Sequence, residues 1–280
     1  MLGTTVRKLR VAMAALLGLV LAAPAAVAQV LDVPISKQMT LHHPATEVME
    51  RIYDFHNVLL ILITVITLFV LALLVYVMVR FHHKRNPTPS ATTHHTGLEI
   101  AWTVIPIVIL VLLVPSSWRL LKYAHSTNDY AMTIKVVSSQ WYWTYEYPDH
   151  GNFNVESRML DPKNVQDPRL KLLAVDNPMV VPVGTNIRIL ITSTDVMHSF
   201  TVPSFGVKSD AMIGRLNETW FNVREAGDYY GQCSQICGMN HAYMPIAVKA
   251  VSKADFDKWV ADKKKAAGIV APVQAAEATR

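Results

Sequence analysis

Two long apolar runs constrain this chain more than any other feature of its sequence. The first spans residues 58–79, and these 22 residues include no charged side chain. At about 1.5 Å per residue, a helix of this length measures roughly 33 Å, enough to cross the hydrocarbon core of a bilayer. The second run, residues 100–121, contains Pro106 and Pro115. Prolines in a membrane helix need neighbouring groups that compensate for lost hydrogen bonds, so we expect a protein partner in the membrane.

The charges around these runs predict their orientation. The short loop between them is basic, and by the positive-inside rule it is cytoplasmic, which puts both termini outside. Residues 1–28 agree, because a basic start, an apolar stretch over 11–23 and an Ala-Val-Ala site are typical of a cleaved signal peptide. An uncleaved third membrane helix is the alternative. A signal peptide predicts a protein of the bacterial inner membrane with its outer domain in the periplasm.

Composition limits the remaining classes. Only 17% of the residues are charged and the mean hydropathy is +0.25, which excludes a disordered chain and argues against a wholly soluble protein. Two cysteines exclude a disulfide-dense scaffold. The net charge of +5 includes three basic residues of the signal region. Basic clusters interleaved with aromatic residues are absent, so we expect no nucleic-acid partner.

After the anchor region, residues 29–121, the sequence changes character. Residues 122–251 alternate short β-rich runs with Pro, Gly, Asn and Asp, which predicts an all-β sandwich. Residues 252–280 are expected to form a short amphipathic helix, beginning at a Ser252-x-x-Asp255 cap, and a tail. The predicted strands cover residues 132–139, 140–147, 170–175, 186–192, 198–202, 220–223, 229–232 and 244–251.

The strongest chemical signal is a cluster of soft metal ligands. Cys233, Cys237, His241 and Met244 fall on one predicted loop, and His198 lies 35 residues before Cys233. Thiolate, imidazole and thioether donors together favour copper. Two cysteines could bridge two copper ions, with one histidine on each. Sharing one electron between two ions spreads the change in geometry on oxidation and reduction over many bonds. The small change favours fast electron transfer.

Three other interpretations of these residues stay open from spacing alone. Cys233 and Cys237 could form a disulfide in an oxidising compartment. Two cysteines and two histidines could bind zinc. Met244 could be an ordinary core residue.

Four ordered motifs give the chain a recognisable resemblance. It closely resembles subunit II of cytochrome c oxidase, the subunit that carries the dinuclear CuA centre, over nearly everything after the signal peptide. The resemblance implies two transmembrane helices followed by a cupredoxin-like β-sandwich. The motifs are Leu98-Glu99-Ile-Ala-Trp102-Thr-Val-Ile-Pro106, Gln140-Trp-Tyr-Trp-Thr-Tyr-Glu-Tyr147, Asp195 to Phe200, and Tyr229-Tyr-Gly-Gln-Cys233 to Pro245.

The resemblance implies a complete copper ligand set. The side chains are those of His198, Cys233, Cys237, His241 and Met244, and residue 235 contributes its backbone carbonyl. The family usually has Glu at that position, where the side chain also reaches a magnesium ion shared with subunit I. Gln235 keeps the carbonyl but lacks the charge that a hard cation prefers, so we expect intact copper binding and a weakened magnesium site.

The resemblance also implies partners and a docking face. Trp141 would be the residue where electrons from cytochrome c enter, whereas Trp143, Tyr145 and Tyr147 on the same strand are expected in the core. A negative patch would steer the lysines of cytochrome c. Thr194 and Gly151 replace acids common in related chains, so the patch is expected to be weaker. The candidate docking acids are Asp176, Asp195, Glu146 and Asp149.

Glu99 has two compatible interpretations. Thr96-Gly-Leu-Glu99 matches a helix capping box, and the resemblance implies a role at the mouth of a proton path into subunit I. Six other histidines occur as loop pairs and are not expected to be ligands: His42, His43, His82, His83, His94 and His95.

The expected function is therefore that of the electron-accepting subunit of a proton-pumping oxidase, with subunit I and subunit III as membrane partners. Electrons would pass from cytochrome c through copper to subunit I, where oxygen is reduced. A quinol oxidase subunit of the same fold would lack the copper ligands, and a copper-delivery protein would need exposed, labile ones. No Cys-x-x-Cys-His motif occurs, so no haem is expected on this chain.

Overall fold

The computed structural model describes residues 30–126 and 129–269. The predicted signal peptide lies outside these residues, as does nearly all of the predicted C-terminal tail. Two long helices form first: α1 over Glu47–Arg80 and α2 over Thr96–Ala124. Each helix contains one of the two predicted apolar runs and is long and apolar enough to span a membrane.

Each helix begins at an identifiable cap. The Thr46 hydroxyl accepts a hydrogen bond from the Met49 N–H at 3.1 Å and so starts α1. The predicted capping box of α2 is wrong in its first residue, because the N-cap is His95 and not Thr96. His95 Nδ1 accepts from the Leu98 N–H at 3.2 Å, and Glu99 accepts from the His95 N–H at 3.3 Å. The cap therefore lies one residue earlier than predicted, and the imidazole accepts from the Leu98 N–H, whereas a cap at Thr96 would accept from the Glu99 N–H.

The rest of the chain folds as a β-sandwich. One sheet has the strand order β4-β3-β2-β6-β9, and the other has the order β5-β11-β10-β7-β8, with β1 pairing β10 in parallel. A final helix, α3 over Lys253–Ala266, follows β11. The strands are β1 (Val30–Asp32), β2 (Met132–Ser139), β3 (Tyr142–Tyr147), β4 (Phe153–Ser157), β5 (Met179–Pro182), β6 (Ile187–Ser193), β7 (His198–Val202), β8 (Val207–Ala211), β9 (Asn217–Phe221), β10 (Gly227–Cys233) and β11 (Pro245–Val251).

The sequence prediction of the strands was wrong in one place and incomplete in others. Residues 170–175 do not form a strand, because Pro168 begins a tight turn whose carbonyl at Leu170 accepts from the N–H groups of Leu173 and Ala174. The strand predicted at 220–223 begins three residues earlier and ends at Phe221, as β9. Strands β1, β4, β5 and β8 were not predicted. They are three to five residues long, too short to show a clear period.

Aromatic side chains fill the space between the two sheets. Trp143, Tyr145 and Tyr147 alternate along β3 and are fully buried, as the period of two predicts. Helix α3 closes the edge of this core, because its Trp259 ring lies 5.2 Å from the ring of Tyr147 and 5.6 Å from that of Phe153.

The membrane helices attach to one end of the sandwich. The Thr46 hydroxyl donates to the Phe205 carbonyl at 2.8 Å, and the Trp220 indole donates to the Tyr123 carbonyl at 3.2 Å. Strand β2 starts near this end, since Ala131 donates to Asn186 beside β6, and runs for eight residues to the opposite end. We call these the anchor end and the distal end.

Tyr147 also joins the sheets through its hydroxyl. The hydroxyl donates to the Val180 carbonyl and accepts from the Val180 N–H, both at 3.0 Å. We expect Tyr147→Phe to lower the free energy of unfolding by about 2 kcal/mol, because both backbone groups of a buried strand lose their partner. Thermal unfolding of the full chain in detergent, followed by near-ultraviolet circular dichroism, measures the loss.

Tyr145→Phe is the matched control for this substitution. Tyr145 is equally buried on the same strand, but its hydroxyl makes no hydrogen bond to a backbone group within the part of the chain that the structure describes. Its removal should change stability much less. Equal losses in the two variants would contradict the assigned role of the Tyr147 hydroxyl.

Candidate metal centre

The candidate metal centre forms at the distal end, where β10 leaves its sheet. Cys233 is the last residue of β10, and Cys237, His241 and Met244 lie on the loop that leads to β11. His198 is the first residue of β7, which pairs antiparallel to β10 with Phe200 opposite Cys233. The pairing of the two strands therefore brings the histidine to the cysteine loop.

The donor atoms converge in pairs. The ligand atoms of His198, Cys233 and Cys237 all lie within 4.8 Å of one another. The two sulfur atoms are 3.9 Å apart, His198 Nδ1 is 3.9 Å from Cys233 Sγ, and His241 Nδ1 is 3.6 Å from Cys237 Sγ. Met244 Sδ lies 3.5 Å from Cys237 Sγ. Each thiol thus has its own imidazole, and the thiols face each other.

A backbone oxygen completes this set. The Gln235 carbonyl lies 3.3 Å from Cys233 Sγ, so it points into the cluster. The cluster is partly shielded from water, because His198 is fully buried and Met244 is 1% exposed, whereas His241 and Gln235 are half-buried. Burial strengthens the electrostatic attraction between a cation and these donors.

The geometry argues against a disulfide and against a zinc site, the two alternatives to copper that the spacing of the ligands left open. Both cysteines are free, and their sulfur atoms stand at nearly twice the ~2.05 Å length of a disulfide bond. One tetrahedral zinc ion takes four ligands. Six donors converge here, including a thioether, which is a soft ligand characteristic of copper. The donor set therefore fits copper better than zinc.

Groups outside the donor set hold the loops in position. The Gln140 side-chain amide donates to the Cys237 carbonyl at 2.8 Å, and the Trp143 indole donates to the Met244 carbonyl at 3.2 Å. Gly238 has φ +124°, and an added Cβ would lie 3.0 Å from the Gln140 amide nitrogen and 3.1 Å from the Trp141 ring. Glycine permits both this backbone conformation and this close packing.

Asp195 orients the buried histidine. Its carboxylate accepts from the Gln140 N–H and the Val196 N–H, both at 2.6 Å, and lies 3.0 Å from His198 Nε2. With Nε2 held by the carboxylate, Nδ1 is the nitrogen that faces Cys233. The sequence analysis treated Asp195 only as a docking acid. Its i, i+3 spacing from His198 is the signal that could have indicated this contact.

The electrostatics of the centre are set by burial and by these contacts. Burial lowers the pKa of His198, but hydrogen bonding to Cys233 and Asp195 outweighs it, so the pKa lies above its usual value. Burial raises the pKa of Cys233, whereas hydrogen bonds, the one from His198 foremost, hold it below its usual value. Burial and the nearby Cys233 thiolate raise the pKa of Cys237. In the metal-free protein, Cys233 is therefore the first of the two thiols to ionise.

The other predicted site residues do not all lie near this cluster. Trp141 is half-buried at the distal end and packs against the cluster loop at Gly238. Asp176 accepts from the Arg158 N–H one residue beyond β4. Glu146 pairs with Lys135 at 3.0 Å, and Asp149 accepts from the Thr133 N–H at 2.7 Å near the anchor end.

The structure therefore separates the four candidate docking acids. Asp195 and Asp176 lie toward the distal end, since β4 ends opposite Trp143. Glu146 and Asp149 lie at the far end of β3, about five residues or 17 Å along the strand from Trp141. Glu99 lies at the other side of the membrane hairpin, in the first turn of α2.

A two-helix anchor followed by a cupredoxin-like sandwich with a buried set of thiol, imidazole and thioether donors defines a class of membrane-anchored metalloproteins. Comparison with known proteins narrows this class. A sequence model described as cytochrome c oxidase subunit II, periplasmic domain, matches residues 132–251, and the corresponding transmembrane-domain model matches residues 34–120. The chain belongs to the cytochrome c oxidase subunit II family.

Individual relatives agree with this assignment. The probable cytochrome c oxidase subunit 2 of Rickettsia felis is 50% identical over 234 residues, which cover 84% of this chain and 74% of the relative. Cytochrome c oxidase subunit 2 of Arabidopsis thaliana is 43% identical over 232 residues, covering 81% of this chain and 89% of the relative. The crystal structure of the periplasmic domain of subunit II from Bradyrhizobium japonicum is 48% identical, with a TM-score of 0.47, and covers 50% of this chain and 99% of that one.

The Asp195 contact predicts a pH effect on metal uptake. His198 must lose its proton to bind a metal through Nδ1, and hydrogen bonding with Asp195 helps to keep the pKa of His198 raised. We therefore expect Asp195→Asn to shift the midpoint of copper uptake to lower pH. Visible absorbance of the full chain in detergent, titrated with copper at pH values between 4 and 8, measures this midpoint.

Asp176→Asn is the control, because this exposed carboxylate accepts from the N–H groups of Arg158 and Asn177, which lie outside the cluster. Its midpoint should match that of the native chain. Coincident midpoints for all three proteins would show that Asp195 does not act on the histidine.

Proposed function

We propose that this chain is the electron-accepting subunit of a cytochrome c oxidase. In this proposal it takes electrons from cytochrome c at a dinuclear copper centre and passes them to the haem and copper centre of subunit I. Oxygen is reduced to water there, with proton pumping, and no oxygen chemistry occurs on this chain. The observation that carries the proposal is the pair of free thiols 3.9 Å apart, each with its own imidazole.

The proposed copper ligands are the residues that converge at the distal end. Cys233 and Cys237 would bridge the ions, His198 and His241 would each bind one ion, and Met244 and the Gln235 carbonyl would be weak additional ligands. When bound, the dinuclear copper centre supplies a one-electron carrier whose charge is shared between two ions.

The protein's own contribution is to keep these donors fixed and partly shielded from water. His198 is held from behind by Asp195, and the loop carbonyls of Cys237 and Met244 are held by Gln140 and Trp143. Donors that are already in position need little movement when the charge on the site changes. A small rearrangement favours fast electron transfer over bond chemistry.

Trp141 is the proposed point where electrons enter. Its indole is half-buried against Gly238, the residue after Cys237, so it provides a short path between the protein surface and a proposed ligand. The indole Nε1 makes no hydrogen bond within the described residues. A partner that covers this ring therefore breaks no hydrogen bond of the indole.

The docking surface is proposed to be local and mildly acidic. Asp176 and Asp195 lie toward the same end as Trp141, whereas Glu146 and Asp149 are engaged at the other end of β3. We therefore assign the steering of cytochrome c to the first pair. The lysines of cytochrome c would be attracted to these carboxylates at long range.

The membrane part is proposed to bind subunit I and subunit III. Apart from Val48 and Met49 at its start, α1 buries no side chain, and α2 buries none, so both helices offer apolar surface to other membrane proteins or lipid. The basic loop between the helices is proposed to be cytoplasmic, with the sandwich in the periplasm. Glu99 would then lie at the cytoplasmic side, where a proton path into subunit I could begin, in addition to its contact with the His95 N–H.

A shared magnesium site is proposed to be weakened. Gln235 directs its carbonyl to the cluster, so its side chain is not needed there. An amide oxygen attracts a hard dication less than a carboxylate does. The copper site therefore tolerates glutamine at this position better than the magnesium site.

The alternatives fit the chain less well. A quinol oxidase subunit of this fold would not need five side-chain copper ligands. A copper-delivery protein would hold its metal at exposed, exchangeable positions, whereas the two cysteines here are at most 6% exposed.

Electron paramagnetic resonance of the copper-loaded full chain tests the proposal. We expect hyperfine lines split by two equivalent copper nuclei, because the two thiolates would join the ions into one electronic unit. Cys237→Ser should lose this pattern. Met239→Leu is the control on the same loop, since Met239 is 86% exposed and lies outside the donor set. A spectrum split by one nucleus, a zinc-filled protein or a Cys233–Cys237 disulfide would refute the dinuclear centre.

The docking assignment has its own test in the assembled oxidase. We expect Asp176→Asn to raise KM for cytochrome c about two- to fivefold at low ionic strength, because a steering charge near the point of contact is lost. Glu146→Gln should have little effect, because that carboxylate is paired with Lys135 at a distance from Trp141. Steady-state turnover at several salt concentrations makes the comparison. An equal rise of KM in both variants, or a KM that does not depend on salt concentration, would contradict the assignment.

A further inference from the structure

A second concave site lies between the two membrane helices, close to the sandwich. It is a cavity of about 310 Å³, open to the side of the hairpin. One part of its wall is apolar and the other part carries charged and hydroxyl groups. The lining residues are Arg51, Asp54, Phe55, Val58, Leu113, Ser116, Arg119 and Leu120.

The cavity lies at the level where a membrane meets water. Val58 is the first residue of the uncharged run of α1, and Asp54 precedes it by one helical turn. On α2, Trp118 is 65% exposed beside Arg119. Exposed tryptophans mark the headgroup region at the ends of membrane helices. The apolar wall of the cavity therefore faces the acyl chains, and the charged wall faces the headgroups.

Two opposite charges in this wall have no partner among the residues that the structure describes. Within residues 30–126 and 129–269, neither Asp54 nor Arg119 makes an ion pair or a side-chain hydrogen bond. Two neighbouring arginines are engaged: Arg51 pairs with Glu47 at 2.6 Å and Arg224 pairs with Glu50 at 2.7 Å. Asp54 and Arg119 line the same cavity without meeting each other.

We infer that this cavity binds a phospholipid whose headgroup carries a phosphate and a primary ammonium, as phosphatidylethanolamine does. The Arg119 guanidinium would bind the phosphate, for which its planar fork of donors is suited. The Asp54 carboxylate would accept from the ammonium. One acyl chain would lie along Val58, Phe55 and Leu113.

The pair of charges selects among lipid headgroups. The headgroup of phosphatidylglycerol satisfies Arg119 with its phosphate, but its neutral glycerol brings no positive charge to Asp54. A choline headgroup has the right charges, but its quaternary ammonium has no N–H to donate to the carboxylate. A primary ammonium beside a phosphate offers each residue both an opposite charge and a hydrogen bond.

Native mass spectrometry of the delipidated full chain in detergent tests this inference. Defined phosphatidylethanolamine, phosphatidylcholine and phosphatidylglycerol are added separately, and the dissociation constants are compared. We expect phosphatidylethanolamine to bind at least tenfold more tightly than phosphatidylcholine. Arg119→Gln should weaken phosphatidylethanolamine binding about tenfold, because a charge-assisted contact with the phosphate is lost.

Two further variants make the test specific. Asp54→Asn should reverse the preference, so that phosphatidylglycerol binds at least as well as phosphatidylethanolamine. Lys122→Gln is the control for Arg119→Gln, since it removes an exposed positive charge from the same helix but does not line the cavity. Equal binding of ethanolamine and choline lipids, a native preference for phosphatidylglycerol, or equal effects of the Arg119 and Lys122 variants would each overturn the inference.

Discussion

The pairing of β7 with β10 is the constraint on which the distal end depends. With Cys233 opposite Phe200, the start of β7 lies beside the loop that follows β10, and His198 reaches a cysteine 35 residues later in the chain. The strands approach closely because Gly231 has no side chain, and an added Cβ there would lie 1.9 Å from the Thr201 carbonyl oxygen. A slip of one residue would turn His198 to the other face of its sheet and remove it from the cluster.

Attachment to the membrane helices and metal-ligand clustering occur at opposite ends of the sandwich. Attachment to the membrane helices uses the anchor end, through Thr46, Tyr123 and Trp220, and the donor cluster occupies the distal end. Between them lies an aromatic core that includes Trp143 and Tyr147. Trp143 belongs to both regions, since its ring packs at 5.6 Å from Phe200 while its N–H donates to the Met244 carbonyl. Core packing therefore extends directly to the loop that carries the proposed ligands.

The membrane hairpin is incomplete as an isolated unit. Its two helices bury almost no side chain within this chain, so their surroundings must supply most of their contacts. In a bilayer these surroundings are other protein helices and lipids, and different parts of the surface suit different neighbours. Continuous apolar faces suit protein helices or acyl chains. The cavity between Asp54 and Arg119 suits a charged headgroup, because it presents both signs of charge at the headgroup level.

The sequence by itself determined the two membrane helices and the β-rich domain and indicated the candidate donor residues, because apolar length, alternation and ligand chemistry are local properties. Only the tertiary structure decided that Asp195 holds His198, that Gln140 supports Cys237 and that Glu146 lies far from Trp141. The same holds for the His95 cap and for the short strands β4, β5 and β8. These features depend on atoms that are distant in sequence or on choices between adjacent acceptors, and chain folding alone brings such atoms together.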